Sequence, residues 1–349
     1  MSSLNPITIV GGGLAGLMLG IGLRQRGVPV TIREAGSYPR HRVCGEFISG
    51  NGQAVLKRLG LLGLFEQAGA VRAHTAMFIS GRSRSPVHRL PEPALCLSRH
   101  AMDALLAKAF QGLGGELRQN TRWTSGEFKE GILRAAGRRA QSTDRGWHWF
   151  GVKGHVPRSS PLNLEADLEM HLASAGYVGV NRIDHGDINV CGLFRAHRGG
   201  PQPDSRKQWL RGDPGSLLDE RLEAAQFDEH SLCSVAGLSL KPQRAATKSE
   251  CCIGDALTMT PPITGNGMSM AFESAEIAIE PLIAYSGGEM DWAQTRLRIA
   301  SACDSAFSRR LAWARLVQWL MFSPVLRTGF GPIVLRSGSL WRLLFARTR

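Results

Sequence analysis

Three glycines near the start of the chain, Gly11, Gly13 and Gly16, are spaced Gly-x-Gly-x-x-Gly, with Leu14 and Ala15 between the last two. That spacing suits a turn that cradles the phosphates of a dinucleotide. Gly11 permits the tight turn, Gly13 lets the backbone approach a pyrophosphate, and Gly16 lets a helix pack closely on a strand. Leu14 and Ala15 open that helix, whose free N–H groups and dipole favour an anion. Glu34 lies 18 residues beyond Gly16. A carboxylate there can accept hydrogen bonds from both ribose hydroxyls and would repel a 2′-phosphate, so FAD or NAD is expected rather than NADP. A second constellation is Gly254-Asp255 followed by Pro261-Pro262-Ile263-Thr264-Gly265-Asn266-Gly267-Met268. Asp255 can hold a hydroxyl of a ribityl chain, and the glycines let N–H groups at a helix start face a ring or a phosphate. A simple NAD domain does not need this second turn, which favours FAD.

Three further residues carry acid–base or nucleophilic chemistry. In Arg42-Val43-Cys44-Gly45-Glu46-Phe47, a thiol and a carboxylic acid lie two residues apart, and His155 is a third candidate. Groups of these types can polarise or protonate a substrate that lies beside them. The plainer alternative stays open: Cys44 is a packed thiol, Glu46 an ion-pair partner of Arg40 or Arg42, and His155 structural.

The elements that must position these residues are readable from periodicity. Ile7–Val10 reads as a buried strand, residues 14–26 as a helix ended by Gly27, and residues 28–33 as a second strand: a βαβ opening that implies a parallel sheet. Residues 51–68 and 99–112 read as helices, the second with Met102, Leu105, Leu106 and Ala109 on one face. Strands are expected across 70–97, then at 147–156, 164–172, 177–182, 188–194 and 232–240, the later ones forming an antiparallel sheet. Cys251–Ile253 reads as a strand leading into Gly254-Asp255, and residues 267–284 and 290–321 as helices, with Pro324 as the stop.

Composition narrows the classes. The chain has 349 residues, 43% apolar and 20% charged, an ordinary globular balance with material for one large or two interlocked domains. Seven cysteines have no metal-ligand spacing, which fits a reducing compartment. No signal peptide and no uninterrupted apolar run of membrane-spanning length is recognised. The net charge of +13 is uneven: residues 305–349 hold eight Arg and no Asp, Glu or Lys. These arginines interleave with leucine and tryptophan, which argues against nucleic acid. The pattern at 309–349 suits peripheral contact with a membrane surface, a lid over an apolar tunnel, or a packed helical cap.

The Gly-rich opening, the acid after the second strand and the late Gly-Asp turn before a glycine-bearing helix resemble the FAD-dependent oxidoreductases of the p-hydroxybenzoate hydroxylase superfamily. The loop Arg42–Phe47 resembles the Cys-Gly loop of its geranylgeranyl reductase branch, as do Phe150–His155, Gly176–Val180 and Asp187–Cys191. The resemblance covers residues 5–285. It implies that Gly11, Gly13, Gly16 and Glu34 hold the ADP half of FAD, that Arg42 lies near the adenosine phosphates or ribose, and that Arg99 contacts the cofactor. It also implies that Asp255 binds the ribityl or pyrophosphate part and that Gly265 to Met268 line the N1–O2 edge of the ring. The superfamily's Asp-Gly motif corresponds at best to Ala135-Ala136-Gly137-Arg138-Arg139, without the aspartate. That puts direct reduction by NADH or NADPH in question and leaves a separate reductase or a reduced quinone-like carrier as the other donor. Trp147-His148-Trp149 superficially suggests the halogenases of the superfamily, but their tryptophan motif is not matched, and these rings are expected to pack in a sheet.

The expected fold is α/β: a Rossmann-type FAD-binding domain from residues 1–140 and 245–285, an inserted mostly antiparallel sheet domain at 141–244 for the substrate, and C-terminal helices at 286–349. The expected activity is FAD-dependent oxidoreduction in the cytoplasm or on the inner face of a membrane. The substrate would be a hydrophobic aromatic or polyketide-type secondary metabolite, hydroxylated by a monooxygenase. The alternatives are reduction of an isoprenoid or polyketide C=C bond, or a membrane-associated FAD-binding scaffold without catalysis.

Overall fold

The computed structural model describes residues 4–124, 127–138, 147–197, 205–241, 243–322 and 337–348, the side chains of residues 339 and 340 excepted. The chain opens as the sequence leads one to expect, with β1 (Ile7–Val10), α1 (Leu14–Arg24) and β2 (Val30–Arg33). Helix α1 is buried along almost its whole length. An apolar helix of this kind must be covered on every side, and Gly20 and Gly22 make that possible: a Cβ on the first would meet Ile32 and Phe110 within 3 Å, and one on the second would meet Ile279. Two later strands complete a parallel sheet, β7 (Glu116–Arg118) and β8 (Ile132–Arg134), in the order β7-β2-β1-β8.

Between β2 and β7 the chain leaves this sheet. The helix expected across residues 51–68 is divided into α2 (Asn51–Arg58) and α3 (Leu62–Gln67) by Gly60, whose φ of 70° ends the first helix. Strands β3 (Phe47–Ile48), β4 (Val71–Ser80), β5 (Ser83–Arg84) and β6 (His88–Cys96) precede α4 (Arg99–Gly112), which matches its expected span. The middle of the chain supplies β9 (Trp147–Val156), β10 (Leu168–Ala173), β11 (Gly176–Arg182), β12 (Ile188–His197), α5 (Arg206–Arg211), α6 (Leu217–Glu223) and β13 (Asp228–Leu238).

Among the described residues the second sheet has nine strands, in the order β13-β9-β12-β11-β10-β4-β6-β3 with β5 beside β4, and only β10–β4 is parallel. The inserted sheet is thus mostly antiparallel, as expected. Its membership differs from the boundary drawn at residue 140, because β3, β4, β5 and β6 all come from earlier in the chain. One face of this sheet buries Val152, Val156, Val178, Val180, Val190 and Phe194 beneath Leu210, Leu218 and Leu222 of α5 and α6. The opposite face is turned toward the loop at 40–48: a Cβ on Gly151 would come within 2.7 Å of the Val43 side chain.

The expected strand at Cys251–Ile253 reduces to a single bridge between Cys252 and Arg134. It still delivers the chain to the turn at Gly254–Ala256 and then to α7 (Gly267–Ser286). Helix α8 (Trp292–Phe322) follows, tied to α7 by a two-pronged pair between Arg310 and Glu273 at 2.6 and 2.8 Å. Pro324, read as its stop, lies outside the described residues. A last helix, α9 (Gly338–Arg347), lies on the β4–β6 part of the sheet, with Phe345 buried among Ala73, Ala76, Leu90 and Ala94.

Candidate active site

The Gly-rich turn has the geometry its spacing implies. Gly11 adopts φ 109°, and a Cβ on it would stand 2.5 Å from the carbonyl oxygen of Ala135. A Cβ on Gly16 would collide with the Gly11 carbonyl oxygen at 2.0 Å, so strand, turn and helix meet backbone to backbone. Gly13 is different: nothing lies within 4 Å of the position a Cβ would take. It is also the N-cap of α1, without a side-chain cap and with no acid in the first turn. The start of α7 repeats the arrangement, with Asn266 as N-cap, no side-chain cap, and open space beside Gly267. Asp255 lies near that second start, in a pocket lined also by Gly254, Thr258, Gly267, Met270 and Ser274. It is accessible to solvent although protein surrounds it, and burial raises its pKa against the attraction of Arg138 and Arg99.

These features fit FAD. Two uncapped helix starts point N–H groups at open space where a phosphate or ring edge could lie. Arg138 and Arg99 act on Asp255 with positive charge, and Arg42 lies between Asp103 and Glu34. The glycines keep the open space free of side chains. At Glu34, the acid expected to hold the ribose, burial opposes the charge, while hydrogen bonds from Gly36, Arg40 and Gly12 together hold its pKa below the usual range. The Gly12 and Gly36 N–H groups reach it at 2.8 and 2.9 Å, and Arg40 pairs with it at 2.8 Å. Tyr38, not singled out from the sequence, hydrogen-bonds the Gly12 carbonyl beside it.

The other named residues fall into two linked groups. Arg99 forms a two-pronged bond to Asp103 at 2.8 and 2.9 Å and also hydrogen-bonds the Cys44 thiol. Arg42 approaches both Asp103, at 3.4 Å, and Glu34, at 3.8 Å. Asp103 was missed, although its spacing of four from Arg99 on a helix is the signal that finds such pairs. Burial pushes the Cys44 thiol up, with Arg99 opposing, so the neutral thiol is the resting form.

The second group is centred on Glu46. Its partners are not Arg40 or Arg42, as one sequence alternative had it, because those arginines turn to Glu34. Instead one carboxylate oxygen receives Lys153 Nζ at 2.6 Å and the Arg99 N–H at 2.7 Å, and the other meets His155 Nε2 at 2.7 Å. Glu46 and Lys153 are both 0% exposed. Burial works against the Glu46 charge, but His155 and Lys153 outweigh it and hold the carboxyl below the usual range. Lys153 was not foreseen; only the sheet register brings it under a loop 107 residues away. His41 adds a third imidazole, stacked on His100 at 4.6 Å and edge-on to His155 at 5.1 Å. Glu46 also has a φ of 57°, a conformation that costs about 1–3 kcal/mol in a non-glycine residue and persists where the surroundings enforce it. The structure therefore brings Cys44, Glu46, His155 and Arg99 together. It places Gly265, Asn266, Gly267 and Met268 at the other border, where Gly265 packs on Phe47 and Asn266 Nδ2 donates to the Thr348 carbonyl at 2.7 Å.

The motif lacking its aspartate is partly described. Ala135 and Ala136 pack on Gly11, Gly137 has φ 71° and faces open space, and Arg138 lies near Asp255. Arg139 lies outside the described residues.

Comparison with known proteins bears on the fold. Residues 5–145 match the family described as FAD binding domain. Over 97% of its length the chain is 22% identical to the menaquinone reductase of Mycolicibacterium smegmatis, covering 90% of that protein. It is 32% identical to part of the 3-amino-4-hydroxybenzoate 2-monooxygenase PtnB3 of Streptomyces platensis and 26% identical to part of conditioned medium factor receptor 1 of Dictyostelium discoideum, spanning 24% and 26% of those chains. Among solved structures, the flavin-dependent brominase Bmp2 superposes with a TM-score of 0.75 at 17% identity, covering 98% of this chain and 92% of that one. The p-nitrophenol 4-monooxygenase PnpA of Pseudomonas putida DLL-E4 gives 0.74 at 16% identity, covering 99% and 98%. Residues 5–145 thus resemble an FAD-binding domain, and the fold is one shared with the brominase and the nitrophenol monooxygenase.

Proposed function

We propose that this FAD-dependent oxidoreductase is a monooxygenase that hydroxylates a hydrophobic aromatic, polyketide-type substrate held between the Pro261–Met268 turn and the nine-stranded sheet. The observation that carries the reading is the apolar character of this border: Ile263 in that turn and Leu172, Tyr177, Leu193 and Leu238 of the sheet form one buried cluster, with Met170 and, from α8, Val317, Met321 and Phe322 packed against it. An apolar surface at the ring edge of a flavin site is what a greasy aromatic substrate needs. The matches to an FAD-binding domain and to monooxygenase folds support it.

Bound FAD would supply two-electron redox chemistry and, once reduced, activation of dioxygen. The chain's own residues do the rest. The helix starts at Gly13 and Gly267, with Arg42, Arg99 and Arg138, neutralise the pyrophosphate, while Glu34 and Asp255 fix ribose and ribityl hydroxyls. Cys44, protonated at rest, and the Glu46–His155–Lys153 cluster behind it hold a proton close to the cleft. Apolar side chains on the sheet exclude water. Missing its aspartate, the segment 135–138 leaves the donor to be NADH, NADPH or a separate reductase.

Substrate-dependent oxygen uptake by the FAD-loaded protein, with hydroxylated product matching oxygen consumed, tests the reading. Product formed equally well without oxygen overturns it in favour of a C=C reductase. That second reading is favoured by the Cys44–Arg99 contact and by the full-length likeness to a menaquinone reductase. Turnover of any substrate also separates both enzymes from a non-catalytic FAD-binding scaffold.

The same reading includes contact with a membrane surface. Among the described residues no helix is long and apolar enough to cross a membrane. Near its end, however, α8 exposes Leu316 and Trp319, the latter 61% accessible, beside Arg309 and Arg315. Co-sedimentation with anionic but not neutral vesicles, lost in Trp319→Ser, is expected; equal partition into supernatant in both cases would set the contact aside.

A further inference from the structure

The nine-stranded sheet reaches solvent at the start of β9 and the end of β12. Register sets Trp149 opposite Arg195 and Trp147 opposite His197. Paired residues share a face, as do residues two apart on a strand, so these four continue the face that carries Gly151 and Leu193. The Arg195 guanidinium lies over both indoles, 4.5 Å from the Trp147 ring and 5.7 Å from that of Trp149. His197 meets Trp147 edge-on at 5.2 Å. Trp147 nonetheless stays 40% exposed.

Helix α8 brings exposed apolar residues to the same end of the sheet. Phe322, its last residue, lies edge-on to Trp149 at 4.6 Å. Trp319 stands one turn before Phe322 and Leu316 one turn before that, and both are exposed. Arg309 and Arg315 are exposed on the same stretch, whereas Arg310 is engaged by Glu273. Single exposed apolar side chains are ordinary, but Trp147, Leu316 and Trp319 gather round one contact. Charge there is one-sided: β9, β12 and residues 305–322 contain no Asp or Glu.

We infer that the Trp147–Trp149 end of the sheet and the last two turns of α8 form one surface that docks on an anionic bilayer. Indoles settle at headgroup level with Leu316 beside them, and Arg195, Arg309 and Arg315 meet the lipid phosphates. Nucleic acid would pair with the arginines but gain nothing from Leu316; a bilayer satisfies both. The inference deepens the membrane contact of the proposed function and rests on it. It adds to α8 a strand end that only the Trp149–Phe322 contact brings alongside. Phe322 also meets Tyr177, at 6.2 Å, so docking here sets the apolar border of the cleft beside the lipid.

Binding of the FAD-loaded protein to phosphatidylserine–phosphatidylcholine vesicles with brominated acyl chains tests the surface without turnover. Trp147→Ser is expected to weaken binding at least ~10-fold, since burying part of an indole is worth that much. Arg195→Gln is expected to weaken it about 5-fold, the worth of one basic residue at an anionic surface, and Arg195→Lys to restore it. Bromine is expected to quench tryptophan fluorescence, and to quench it less in Trp147→Phe, a mild change that keeps the test open where Trp147→Ser does not fold. Loss of binding in Trp319→Ser with wild-type binding in Trp147→Ser and Arg195→Gln overturns the shared surface and leaves a contact through α8 alone. Wild-type protein that stays in the supernatant overturns the membrane contact altogether, with the monooxygenase reading untouched. Heparin binding lost in Trp147→Ser while vesicle binding persists assigns the surface to a polyanion instead.

Discussion

Single residues divide into those that keep space open and those that close it, and the glycines show both. At Gly13 a side chain has room, but under the proposed function it would occupy the path of the pyrophosphate. Gly13→Val is expected to melt at the wild-type temperature and to bind FAD at least ~10-fold more weakly, a loss of about 1.4 kcal/mol, by fluorescence titration. At Gly16 the fault is reversed: Gly16→Ala forces a methyl onto the Gly11 carbonyl, and overpacking of this kind costs about 1–3 kcal/mol before any ligand is considered. Glu46→Gln leaves the Lys153 ammonium buried without its counter-charge. A loss of about 3–5 kcal/mol in urea unfolding is expected, and a loss below 1 kcal/mol would mean that the pair is not structurally important. His41 gives a pH signature. Burial and the positive neighbours Lys153, His155 and His100 lower its pKa to about 4, from an ordinary 6.5. The unfolded chain therefore binds this proton below about 6.5 and the folded chain does not until about 4. Stability from this group is complete above 6.5 and declines as pH falls toward 4. In His41→Asn the melting temperature is expected to fall less steeply across that window.

At the scale of elements, the junctions carry the site. Helix α4 begins against two carboxylates at once: Asp184 takes the Ser98 N–H at 2.6 Å and Glu46 takes the Arg99 N–H at 2.7 Å. Acids at a helix start complement its dipole, and this start also aims Arg99 at Cys44 and Asp103. The α7–α8 junction rests on the Arg310–Glu273 fork, in which both side chains are 12% exposed. Arg310→Lys keeps the charge but loses the planar fork, and a loss of about 1–2 kcal/mol in urea unfolding is expected. An unchanged midpoint would show that α8 is held by its apolar face alone.

At the scale of the whole molecule, the C-terminus returns to the site. Helix α9 rests on β4 and β6 through Phe345 and Trp341, and Thr348 accepts from Asn266 at the start of α7. Of the three roles the sequence allowed for the C-terminal element, a packed cap describes α9 directly. A chain ending at residue 337 is expected to lower the melting temperature and to speed FAD dissociation, because Asn266 loses its partner. Unchanged dissociation would separate the cap from the flavin turn.

Much of the fold could be read from the sequence alone because its signals are local. The βαβ opening follows from Ile7–Val10, the glycine spacing and Glu34, each tied to its neighbours by a turn or a single helix. The Gly254-Asp255 turn and the glycine-bearing helix after it were readable for the same reason, as was the span of α4. The sequence also named Cys44 and Glu46 in one loop and, separately, His155 as candidates. What it could not decide was pairing over long distances. Lys153 joins Glu46, and Asn189 reaches the Cys44 and Gly45 carbonyls, only because a register of antiparallel strands brings residues more than 100 apart onto one face. The membership of β3, β4 and β6 in the larger sheet is hidden likewise, since a strand's sequence fixes which face is apolar but not which strand lies beside it. Local chemistry determined the glycine turns and the helix starts beside them, and tertiary register alone determined what the Glu46 loop packs against.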